Sequence, residues 1–267
     1  MKTLRFFTVI LFSILSFTAF SQDFEVSPVL MSFNADPGEI QKQALSIINH
    51  TGRPQKYILK LSDYTVDREG NKKNVAVGAN KHSCIDWITI SPSLIELNPN
   101  QTASVDIIMT VPKDGFSTRW CMIGVQAVEE HSAAEVDKTL SSGVLIVPRI
   151  VVLVKQSPKS NRNYKANISN LKEVTKAGEK FRTFEVLITN TGDNIIDASV
   201  SLALADMQSA KEEKFPAEKV TVYPEASRVV RLKIPKDIAK GKYALAAILD
   251  YGHRQPLEGT QMMLEVK

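Results

Sequence analysis

At 267 residues the chain is long enough for two domains of ordinary size, each able to bury its own core. Its 33 basic and 29 acidic residues nearly balance, and the two lysines at 72–73 are a solvated pair beside a turn, so nothing resembles a dedicated nucleic-acid or phosphate surface. Four histidines and two cysteines are a thin inventory for catalysis.

The first 21 residues read as a signal peptide. Lys2 and Arg5 supply a charged start, residues 6–20 are apolar with scattered Ser and Thr, and Ala19-Phe20-Ser21 offers a small-x-small cleavage site before Gln22. A retained anchor helix is the alternative, but the run is shorter than the roughly 20 residues a spanning helix needs. Cleavage leaves 31 basic residues against 29 acidic ones, a net charge near +2, and a chain with no stable membrane insertion.

From there the pattern is strands nearly throughout. Leu45 and Ile47 share one face, Tyr57, Leu59 and Leu61 another, and the turn residues 49–54 between them predict a β-hairpin. A polar stretch, 63–81, follows, with a turn at Glu69-Gly70-Asn71 and a short strand around Val75 and Val77. Residues 88–97, 104–111 and 120–128 are further strands set off by Pro and Asn. After a polar loop at 129–142 comes the most apolar mature segment, 144–154, interrupted by Pro148 and Arg149. Its β-branched content predicts one long strand. Residues 157–163, with Pro158, form the linker. The second domain, 164–267, carries strands around Phe184, residues 195–204, Val220, Val230, Tyr243 and residues 262–266, with 206–214 a charged loop or single helical turn.

One grammar is used twice. Pro112-Lys113-Asp114 precedes Trp120 as Pro235-Lys236-Asp237 precedes Tyr243, with the same six-residue step from Asp to aromatic. Asn98-Pro99 and Tyr223-Pro224 each stand just before an alternating strand, and Asn49-His50-Thr51-Gly52 is echoed by Asn190-Thr191-Gly192-Asp193. Short strands at regular spacing and no helical periodicity indicate an all-β chain: two tandem immunoglobulin-like antiparallel sandwiches, 22–156 and 164–267. Trp120 and Tyr243 are expected to pack in the two cores.

No constellation compels a chemistry. The histidines stand in or beside turns at ligand-poor spacings, and no nucleophile elbow, Walker loop or dinucleotide fingerprint occurs. His82, Cys84 and Asp86 alternate as if on one strand face, too few for a metal site. No catalytic residue, metal or cofactor is assigned, and an enzyme is not expected. The sequons at Asn49, Asn100 and Asn167 read as turn composition. An even cysteine count in an exported chain predicts a Cys84–Cys121 disulfide, worth about 4 kcal/mol on the chain-entropy model; two buried thiols are the alternative.

The segment 143–155 is suited to strand donation: an apolar strand after a polar loop, with Val144 and Ile146 in one row and Leu145 and Val147 in the other. It also suits the last core strand of the first domain, covered on both faces. The signal peptide, the opening Phe24-Glu25-Val26-Ser27-Pro28, the Asn-His-Thr-Gly-Arg-Pro turn, the Leu-x-Pro-x-x-Thr-x-x-Val pattern between Pro92 and Pro112 and the long closing strand resemble the PapD-like periplasmic chaperones and relatives such as the WxL-interacting proteins. That resemblance implies a periplasmic or cell-surface protein that binds a β-rich secreted protein or surface-assembly subunit. It also implies a basic anchor for the subunit's terminal carboxylate on the first strand, where this chain has Leu30, and on the closing strand, where Arg149 is the equivalent. The other reading is a structural or carbohydrate- or protein-binding surface module that presents loops such as 65–81.

Overall fold

The computed structural model describes residues 23–128 and 147–266, and the proposed signal peptide therefore lies outside the described residues. Regular structure there is β apart from one 3-10 turn, Ile85–Trp87, and no described helix is long and apolar enough to cross a membrane.

The first sandwich pairs two sheets. One has the order β1-β3-β8-β6, from β1 (Phe24–Ser27), β3 (Ile40–Asn49), β8 (Thr102–Thr110) and β6 (Ile88–Ser91). The other runs β2-β10-β9-β4-β5, from β2 (Leu30–Phe33), β10 (Arg149–Gln156), β9 (Arg119–Val128), β4 (Gln55–Val66) and β5 (Lys72–Val75), with β7 (Leu94–Leu97) also on β4. The second sandwich sets β11 (Ala166–Glu173), β12 (Phe181–Asn190) and β16 (Ser227–Pro235) against a sheet built on β13 (Ile196–Asp206). That sheet runs β14 (Glu212–Lys214), β13, β17 (Gly241–Asp250), β18 (Glu258–Val266), with β15 (Glu218–Val222) on β13. The period-two alternation becomes burial directly. Val105, Ile107 and Met109 of β8 enter the first core, and Val230, Leu232 and Ile234 of β16 enter the second.

Four local expectations need correction. The strands around Leu45 and Tyr57 are not a hairpin, because β3 and β4 belong to opposite sheets. Buried Asn49 makes the crossing: its Nδ2 donates to the carbonyls of Arg53, Leu97 and Asn98, at 2.9, 3.0 and 3.2 Å, while its Oδ1 accepts from Thr51 N–H at 3.0 Å. Residues 88–97 are two strands, β6 and β7, in different sheets. The chain changes sheet at Pro92 as it does at Pro28 between β1 and β2, each time at a cis Ser–Pro bond, since proline cannot extend a ladder. Charged residues 206–214 hold a turn and a short strand, β14, rather than a helical turn. His82, Cys84 and Asp86 share no strand face, because Cys84 precedes the 3-10 turn that contains Asp86.

The repeat is structural. Asn190 does in the second sandwich what Asn49 does in the first: Nδ2 donates to Asn194 and Val222 carbonyls at 2.7 and 3.0 Å, and Oδ1 accepts from Gly192 N–H at 3.0 Å. Leu97 and Val222, the matching acceptors, each precede an Asn-Pro or Tyr-Pro turn whose following residue, Asn100 or Glu225, is left-handed at φ 61° or 60°. Tyr243 packs in the second core with its hydroxyl donating to the Ala239 carbonyl at 2.8 Å. Trp120 does not keep to the first core; it joins Tyr64, Met122 and Tyr223 in a third cluster between the sandwiches.

Candidate partner-binding edge and cleft

The closing strand is β10, which starts at Arg149 immediately after Pro148 and continues to Gln156, later than the span expected at 144–154. Val144, Leu145 and Ile146 lie outside the described residues, and Val147 stands just ahead of the strand. Gln156 is fully buried, and its side chain pairs with the Ala35 backbone, Nε2 donating to the carbonyl at 2.6 Å and Oε1 accepting from N–H at 3.3 Å.

Within β10 the two faces differ. Val152 and Val154 are fully buried in the core and Ile150 packs against it, whereas Arg149, Val151, Leu153 and Lys155 point the other way. The two edges differ as well. β9 pairs with β10 along its whole length, Arg149 opposite Gln126 through Gln156 opposite Arg119. β2 runs parallel along the other edge and covers only Leu153 to Gln156, because the chain reaches that sheet after Pro28. Leu153 N–H donates to the Val29 carbonyl at 3.0 Å, so the N–H of Val151, two residues earlier, faces the same side with no strand partner among the described residues. Around this open half-strand three apolar side chains meet solvent: Val29, 58% exposed, Leu30, 47%, and Val151, 38%.

Arg149 is the exposed basic residue at the start of β10. Its guanidinium lies across Gly124 of β9, where any side chain would collide with it, and Nη2 donates to Ser62 Oγ on β4 at 3.2 Å. The sequence reading overlooked the basic residue at the other end of the strand. Lys155 sits over the Tyr223 ring, 5.8 Å from its centroid, in the cleft between the sandwiches. Burial holds its ammonium below the usual lysine range; Asp197 opposes that shift and Lys72 adds to it. Among the described residues no carboxylate forms an ion pair with it.

The cleft floor is aromatic. Tyr64 and Tyr223 hydroxyls are 2.9 Å apart, Trp120 Nε1 donates to the Tyr64 carbonyl at 3.1 Å, and Trp120 meets Tyr223 edge-on at 4.8 Å. Burial pushes both phenols up, so both stay protonated. His82 stacks on Trp120 at 4.8 Å with its Nε2 3.7 Å from Glu225, and Lys81 forms an ion pair with Glu225. On the far side of the contact, Thr118 Oγ1 donates to Asn194 Oδ1 at 2.9 Å, and Asn194 Nδ2 reaches Asn161 Oδ1 at 3.0 Å. The turn after β4 also spans the gap: Val229 N–H donates to the Arg68 carbonyl at 2.8 Å, and Arg228 packs against Gly70. Arg68, Gly70 and Lys81 of the 65–81 stretch thus meet the second sandwich.

Cys84 and Cys121 are both fully buried, with their sulfurs 3.3 Å apart. Among the described residues no group of three or more His, Cys, Asp or Glu is placed to hold a metal ion.

Two sandwiches, sheet-switching first strands and a closing strand covered only in part by described strands have likenesses among known structures. A chain of the chaperone–tip adhesin complex of CFA/I fimbriae biogenesis superposes with a TM-score of 0.51 at 13% identity, over 91% of this chain and 98% of that one. This is the PapD-like fold. The class 5 fimbriae chaperone CfaA (TM-score 0.48, 13% identity, 91% and 99% covered) and the E. coli chaperone DraB (0.43, 16%, 91% and 98%) are also similar to it. No family model matches the sequence, and no curated protein does. At 13% identity the likeness to the first of these shows the fold alone.

Proposed function

We propose that the protein is a non-enzymatic, extracytoplasmic chaperone or surface-assembly factor that lends the open edge of β10 to an unfinished β-rich partner. One observation carries the reading: among the described residues no strand covers the first half of β10's outer edge, and exposed Val29, Leu30 and Val151 surround it. Long, apolar, unpaired edges are ordinarily blunted, because they template pairing with other chains. Backbone hydrogen bonds would supply affinity, and the apolar side chains would fill the groove of the incomplete sheet. Val144, Leu145, Ile146 and Val147, which precede β10 in the chain, would supply further apolar contacts to the partner.

Lys155 refines the proposal. A half-buried ammonium with no carboxylate partner among the described residues is suited to a chain-terminal carboxylate, a task the sequence reading gave to Arg149. Export by the leader at 1–21 would deliver the protein to the periplasm or cell surface.

The test is recovery of a secreted β-rich partner from a periplasmic extract. Leu30→Asp with Val151→Asp should abolish it while the circular dichroism spectrum stays that of the parent, and Lys155→Met should weaken it. Unchanged recovery with the double variant would refute the use of this edge.

A further inference from the structure

We propose that Arg162 and Arg254, brought to one concavity by the stacking of His253 on Tyr164, form a binding site for a phosphate group on the second sandwich. The inference is independent of the β10 edge, with which the site shares no residue.

The hairpin between β17 and β18 supplies one side. Gln255 N–H donates to the Gly252 carbonyl at 3.0 Å and closes a β-turn whose central residues, His253 and Arg254, are both left-handed at φ 54° and 59°. That is the type I′ arrangement, which favours Asn-Gly because larger side chains resist positive φ. A histidine and an arginine hold those positions here, and such an outlier points to a use for the side chains it presents. His253 lies flat on Tyr164, ring centroids 3.6 Å and planes 9° apart, and so draws the turn against the chain that enters the second sandwich. That entering chain is the other side of the site, and its backbone is pinned. Buried Asn194 donates through Nδ2 to the carbonyls of Asn161 and Asn163 at 3.2 and 3.4 Å, on either side of Arg162.

Arg162, Tyr164, His253, Arg254 and Gln255 line a concavity of about 370 Å³, with no carboxylate among them. Asp193 and Asp250, on the adjoining turns, are engaged elsewhere: one accepts from Asn163 Nδ2 at 2.6 Å, the other from Gly252 N–H at 2.9 Å. Neither guanidinium of the site bonds to a described residue, whereas those of Arg182 and Arg231 meet Glu173 and Glu185. A guanidinium is permanently charged, and its planar fork matches phosphate oxygens two at a time. Two such forks in one concavity suit a phosphate dianion better than a single carboxylate.

Titrating the protein with inorganic phosphate at constant ionic strength should give saturable NMR shifts at the backbone amides of residues 162–164 and 252–255. Arg162→Gln with Arg254→Gln should weaken the affinity at least roughly tenfold and leave the thermal melt unchanged, since both side chains are exposed. His253→Gly suits the left-handed backbone but removes the stack, and should weaken the affinity roughly threefold. Phosphatidylglycerol vesicles identify the source of the phosphate. Co-sedimentation that the double variant loses assigns a lipid headgroup, and phosphate-dependent shifts without co-sedimentation assign a soluble phosphorylated ligand. No saturable shift, equal shifts with sodium acetate, or an affinity that the double variant leaves unchanged would each overturn the proposal.

Discussion

Asn49 shows how much one side chain decides. Its amide is wholly buried and satisfies three carbonyls as a donor, while its oxygen accepts from Thr51 N–H, Thr51 Oγ1 and the Tyr57 hydroxyl. Asn49→Ala removes that hub and strands buried polar groups, so a loss of about 3 kcal/mol is expected in urea denaturation. Burial also withholds Asn49 from glycosylation as folded, although its triplet fits the sequon. His82 has a pH signature. Burial lowers its proton affinity below the ordinary 6.5, Glu225 opposes that shift, and Lys81 and Arg119 add to it. As pH falls through about 6.5, the unfolded chain binds the proton first, so stability declines until folded His82 titrates too, and levels off below that. His82→Gln should flatten this acid limb relative to the parent in urea midpoints measured across the window.

At the scale of elements, alternation was legible and pairing was not. Val105, Ile107 and Met109, or Val230, Leu232 and Ile234, announce their faces from spacing alone. Which sheet a strand joins depends on where the chain crosses, and Pro28, Pro92 and Asn49 read only as turn residues until the crossings are seen. The span of β10 was misplaced for a related reason: apolar content marked 144–154, whereas the ladder begins after Pro148 and continues into polar Lys155 and Gln156. The two-faced character of the strand gives a sharp contrast. Val151→Asp, on the exposed face, should change stability by no more than about 0.5 kcal/mol, whereas Val152→Asp, wholly buried, should cost more than about 4 kcal/mol or prevent folding. Thermal melts of the two variants would decide whether this register is right.

For the whole molecule, the duplicated grammar made the two sandwiches readable, and the divergence between copies located what joins them. Asn98-Pro99 in the first copy has Tyr223-Pro224 as its counterpart, and there the tyrosine is turned into the cleft against Tyr64 and Trp120. Sequence spacing treats a buried aromatic in a core and one between domains alike, which is why Tyr64 went unmarked and Tyr223 read only as part of the repeat. The sandwiches meet at an aromatic contact beside Lys155, at the other end of β10 from the half that no described strand covers, and the proposed activity depends on that edge being free.

Residue-resolved amide hydrogen exchange along β10 measures this freedom directly. In the protein alone, the Val151 amide should exchange rapidly while Leu153, bonded to Val29, is protected; adding the β-rich partner should protect Val151. A Val151 amide already protected in the free protein, or one still exchanging rapidly in the complex, would contradict the account.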